Sequence, residues 1–146
     1  MAYKIALNLG KNALNVLGTS QYMNLLFELF LSLPKILETR NLVSVDKRMS
    51  KKLKINYKGY EFVIDCSYTD NVIIENSYTF GIVREIYIRD CYFKYHEINL
   101  SELKNVIDLG SNRGAFSLLA ANFADKVVSV EVQTKYNNVL AHNMKI

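Results

Sequence analysis

The 146 residues hold one proline, no tryptophan, two cysteines and two histidines. Cys66 and Cys91 have no CxxC partner, and together with His96 and His142 they form no metal-ligand spacing. No metal site is expected, and both cysteines read as buried thiols of a reducing compartment, with a disulfide between them left open by sequence. Long hydrophobic runs are also missing. The most apolar stretch, YMNLLFELFLSLP, is interrupted by Glu28 and is too short to span a bilayer. Near Lys4 there is no apolar run leading to a small-residue cleavage site. A cytoplasmic protein without a transmembrane segment is the expectation.

What is present is globular in kind. Hydrophobic residues make up 50% of the chain and charged ones 22%, which separates it from disordered sequences. The length suits one domain, or one domain with an appendage. The net charge is +4, and basic residues bunch at Lys47, Arg48, Lys51, Lys52, Lys54 and Lys58. No second basic stripe or aromatic platform accompanies them. The run therefore reads as a solvated linker, and nucleic-acid binding is not expected.

Three segments differ in period. Residues 1–52 read as helical: Leu25, Leu26, Leu29 and Leu33 recur at helical spacing, and Pro34 should end that helix or start a short one over 35–42. Residues 53–103 read as an antiparallel β appendage and a connector. Three runs rich in Ile, Val and Tyr stand there, LKINYKGYEFVIDC, NVIIEN and IVREIYIRD, with a hairpin tip at Lys58-Gly59 and a break at 69–71. Residues 104–146 switch to strand, turn, helix, strand, helix, which is one βαβ unit and the opening of an α/β sheet.

The turn of that unit is the chemical centre of the sequence. In VIDLGSNRGAFSLLAA, Gly110 and Gly114 bracket Ser111, Asn112 and Arg113 directly before a helix. A strand-to-helix turn needs a residue without a side chain where backbone approaches a ligand or where helix packs closely on strand. Asp108 stands at the carboxyl end of the first strand and Glu131 at the end of the second. A carboxylate in the second position can accept both hydroxyls of a ribose. One beside the loop suits a cationic ligand and disfavours a pyrophosphate, and a dinucleotide loop would read G-x-G-x-x-G, which this one does not.

These residues resemble the class I, Rossmann-like S-adenosylmethionine-dependent methyltransferases, whose loop is similar to D-x-G-x-G-x-G. Asp108, Gly110, Asn112 and Gly114 match it, with Asn112 in place of the middle glycine. The wording IDLGSNRG is similar to the FkbM-like subgroup, as are VREIYIRDCY before the loop and Leu140 with Asn143 after it. Val132 departs from the proline usual after the acidic residue. The resemblance implies an incomplete Rossmann-like methyltransferase sheet, preceded by the helical segment and the small antiparallel appendage. It also implies S-adenosylmethionine as cofactor, with Asp108, Gly110, Ser111, Asn112, Gly114 and Glu131 around it, and O-methyl transfer to a small molecule or sugar.

Two strands of such a sheet are present, so the expectation is the N-terminal part of a longer enzyme, inactive alone. No catalytic base is assigned; Asp90, Tyr92, Tyr95 and His96 are the nearest polar groups and read as structural or exposed. The first strand would show an open apolar edge, to be covered by the strands of 53–89, by a second copy or by a partner chain. The alternative function is therefore a non-catalytic, methyltransferase-like module that binds a partner chain.

Overall fold

A helix of 38 residues, α1 (Ala2–Thr39), opens the computed structural model, which describes residues 2–68, 77–95 and 98–145. Gly18 breaks it into two limbs: φ 68 and ψ 168 are not helical, and a side chain there would be strained. Pro34 lies inside the second limb rather than at its end. Proline brings no N–H to the Phe30 carbonyl four residues back, and Phe30 lies on the exposed side of the helix. After α2 (Val43–Arg48) the chain forms a hairpin of β1 (Lys52–Tyr57) and β2 (Tyr60–Asp65). Positive φ at Lys58 and Gly59 gives the tight turn whose twist matches antiparallel strands.

One face of the hairpin buries Leu53, Ile55, Tyr57, Phe62 and Ile64. The outer edge of β1 is closed by a side chain. Gln21 of α1 donates through Nε2 to the Lys54 carbonyl at 2.7 Å and accepts the Lys54 N–H through Oε1 at 3.0 Å. One amide thus replaces a neighbouring strand at that point. Three cations of the basic run are matched by acids, Arg48 by Glu28, Lys54 by Glu61 and Lys58 by Asp90.

The strand expected over IVREIYIRD is not one. α3 (Thr79–Val83) runs directly into a π-helical turn over Arg84–Ile88, closed by the Arg89 N–H on the Arg84 carbonyl at 2.9 Å. Phe80, Val83, Ile86 and Tyr87 are buried at helical intervals, and their packing outweighs the β-branched composition. The expected strand over 71–76, the break at 69–71 and His96 lie outside the described residues. Cys66 is buried but Cys91 is exposed, contrary to expectation, and both are free thiols.

A short 3₁₀ turn (Leu100–Glu102) precedes β3 (Asn105–Leu109). Next come α4 (Ala115–Ala120), β4 (Lys126–Val130), a 3₁₀ turn (Thr134–Tyr136) and α5 (Asn137–Asn143). β3 and β4 pair in parallel, Asp108 opposite Ser129, and the described residues form two separate two-stranded sheets. Buried apolar side chains from α1 to α4 make one continuous cluster, with Met49, Leu53, Ile64, Phe80, Tyr87 and Leu119 among those nearly or wholly sealed from solvent.

Candidate functional site

The loop from Asp108 to Gly114 is held by its backbone. The N–H groups of Gly110 and Ser111 donate to the Val130 carbonyl at 2.8 and 3.1 Å, so the loop is tied to the end of β4. The Ser111 hydroxyl lies 3.1 Å from the carbonyls of both Asp108 and Val130. Gly114 N–H closes the turn on the Ser111 carbonyl at 2.8 Å. Three residues of the loop have positive φ: Gly110 (79), Asn112 (50) and Gly114 (80). Around Gly110 an added Cβ would meet nothing within 4 Å, whereas at Gly114 it would stand 2.7 Å from Leu140 Cδ1. The first glycine leaves open space; the second lets α5 close on the loop.

Glu131 reaches the loop directly. Its Oε2 accepts the Asn112 N–H at 2.7 Å and its Oε1 the Gln133 N–H at 2.8 Å. The carboxylate therefore spans the two strand ends. Asn112 Oδ1 is buried and has no hydrogen-bond partner among the described residues, a state that costs free energy unless something donates to it.

Asp108 faces the other way. Its Oδ2 accepts the Ser117 hydroxyl at 2.5 Å, and Ser129 Oγ donates to Ser117 Oγ at 2.7 Å. Asp108 is buried, and this chain of hydroxyls joins β3, α4 and β4 beneath the loop. It lies in the supporting layer of the loop.

Several supports went unread in the sequence. Arg113, at 5% exposure, donates to the Ser77 carbonyl at 2.9 Å and lies over the Tyr136 ring. Burial lowers its pKa, with Tyr136 and Cys66 opposing that shift. Asn143 donates to the Arg113 carbonyl at 2.8 Å and accepts the Asp65 N–H at 3.1 Å, clamping loop and hairpin together. Tyr87, sealed in the π-helical turn, donates its hydroxyl to the Ala115 carbonyl in the first turn of α4. Asn143 stood in the sequence only as the match after Leu140, and Arg113 only as a loop residue between the glycines; their partners in the hairpin and at Ser77 had no local signal.

Of the nearby polar candidates, Asp90 accepts the Tyr57 hydroxyl at 2.5 Å and pairs with Lys58 at 3.6 Å, so it serves the hairpin tip. Tyr92 packs edge-on against Phe116 of α4, ring centroids 5.2 Å apart, and Tyr95 is exposed. Among the described residues no cluster of His, Cys, Asp or Glu could hold a metal, and no helix is long and apolar enough to cross a membrane. The chain matches no protein-family model, no curated protein and no solved structure.

Proposed function

We propose that the β3–α4 loop is a cradle for S-adenosylmethionine and that the protein belongs to methyl-transfer chemistry, with the oxygen of a small molecule or sugar as acceptor. The observation that carries this is Asn112 Oδ1: a buried acceptor without a partner, in a glycine-flanked loop that is tied to an acidic strand end. The chemistry supplied by the cofactor, when bound, is an electrophilic sulfonium methyl group. Asn112 Oδ1 is suited to accept from an ammonium group. Glu131 uses one lone pair on each oxygen for backbone N–H groups and keeps others for ribose hydroxyls. Asp108 contributes a negative charge behind the loop, which favours a cation and fits a ligand without pyrophosphate. None of the described residues is assigned the acceptor's proton. A cytoplasmic, reducing setting accords with two free thiols.

Calorimetric titration of the 146-residue chain with S-adenosylhomocysteine, with NAD as control, tests the cradle. Saturable binding of the homocysteine compound alone is expected, weakened about tenfold by Glu131→Gln through the loss of charge-assisted hydrogen bonds. Binding of neither compound, or equal binding of both, would remove the assignment.

A second reading, a partner-binding module, is favoured by one feature. Ile107, Leu109, Val128 and Val130 share one side of the parallel pair and are all exposed, Leu109 at 77%. Parallel sheets are ordinarily covered on both faces. A stable dimer in sedimentation, together with no cofactor affinity, would select this reading over the first.

A further inference from the structure

The inner side of the bend in α1 meets α2 and the π-helical turn around an apolar cavity of about 420 Å³. Ala13, Leu25, Leu29, Val45 and Ile88 form its walls. This volume and lining are those of a small-molecule site, and nothing in the cradle uses it. Two guanidiniums complete the lining, Arg84 and Arg89.

Their placement follows from the unusual helix. In an α-helix a residue five positions on points about 140° away from the first. The i→i+5 winding of the π turn instead places Arg89 nearly one turn above Arg84, and both line the same cavity. Arg84 is committed: Nε and Nη2 bind the two oxygens of buried Asp46 at 3.2 and 2.9 Å. Arg89 is not. Its contact with Glu85 is a loose 3.7 Å pair between side chains that are 58% and 59% exposed, of the kind that contributes little.

We infer that this cavity binds a single-chain amphiphile with an anionic head, the acyl chain along the Leu and Ile walls and the carboxylate on Arg89. An apolar slot alone would accept any alkyl chain. The loosely paired guanidinium at its wall makes the head selective, because a carboxylate gains a charge-assisted hydrogen bond there that a neutral ester does not. A free fatty acid and an anionic phospholipid share an alkyl chain and a negative head; a carboxylate head on Arg89 specifies the free acid.

The probe is dansyl-labelled undecanoic acid, followed by fluorescence with the full chain and compared with its methyl ester. Saturable one-to-one binding is expected, with the ester about tenfold weaker. Arg89→Gln should bring acid and ester together. Gly10→Leu should abolish binding of both, because an added Cβ there points to the Tyr22 hydroxyl, 3.4 Å away at the cavity wall. Leucine also favours helix more than glycine does, and a melting point no lower than the parent's would exclude unfolding as the cause. Equal affinity for acid and ester in the parent chain, or undiminished binding in Gly10→Leu, would overturn the inference. So would association with phosphatidylglycerol vesicles that Gly10→Leu leaves intact while the free acid does not bind.

Discussion

Gly110 and Gly114 share nearly the same backbone angle, φ 79 and 80, yet different surroundings make them unequal. At Gly110 an alanine would meet open space and suffer only the left-handed backbone, about 1–2 kcal/mol. At Gly114 the same methyl would also lie 2.7 Å from Leu140 Cδ1, so α5 must shift. Gly114→Ala should therefore destabilise the chain more than Gly110→Ala, by roughly 1 kcal/mol or more. Urea unfolding of the two variants gives the comparison, and equal midpoints would mean that α5 does not bear on the loop. Both glycines were legible in the sequence as turn residues. Their division of labour was not, since it depends on Leu140, 26 residues beyond Gly114.

At the scale of elements, the π-helical turn of Arg84–Ile88 connects the two halves of the chain. Composition pointed to a strand there, because Ile, Val and Tyr dominate. The competing signal was the spacing of Phe80, Val83 and Tyr87, which is helical, and packing against α1 and the hairpin decided for it. Helical winding brings Tyr87 under α4, where its hydroxyl meets the Ala115 carbonyl. Burial raises the pKa of that phenol well above its ordinary value, with smaller contributions from Cys66 and Tyr57, and keeps it a donor. Tyr87→Phe should cost about 1–2 kcal/mol, as expected when a buried hydrogen bond is removed. It should also speed hydrogen exchange in the first turn of α4. Unchanged exchange with unchanged stability would show that the bond positions nothing.

Across the whole molecule, β2 and α5 are fastened by Asp65. His142 Nε2 lies 3.1 Å from Asp65 Oδ2, while Ser67 Oγ and the N–H groups of Ser67 and Tyr68 bond to Oδ1. Burial alone would raise the pKa of this carboxyl; the hydrogen bonds from Ser67, His142 and Tyr68 outweigh it and hold the value below the ordinary 3.8. A depressed folded-state value means that the contribution is complete above the ordinary value and is lost as pH falls through the lowered one. The parent chain should lose stability on acidification below that range, and Asp65→Asn should flatten the loss while being less stable at neutral pH. Thermal melts across the acid range check this, and parallel acid curves for the two proteins would refute it.

The sequence by itself determined the helical opening, the hairpin tip at Lys58-Gly59, the parallel βαβ unit and the glycine-bracketed turn inside it. Each of these is written in neighbours: apolar spacing, a glycine turn, an acid at a strand end. Which residues support that loop was decided only in three dimensions. Asp108 turns to Ser117, which Ser129 backs in turn, Arg113 reaches Ser77, and Asn143 links the loop to Asp65. The same is true of the helix through Pro34 and of the cavity inside the bend of α1. Local pattern reports how a segment prefers to wind, but burial between segments far apart in sequence selects the winding and pairs the polar groups it seals.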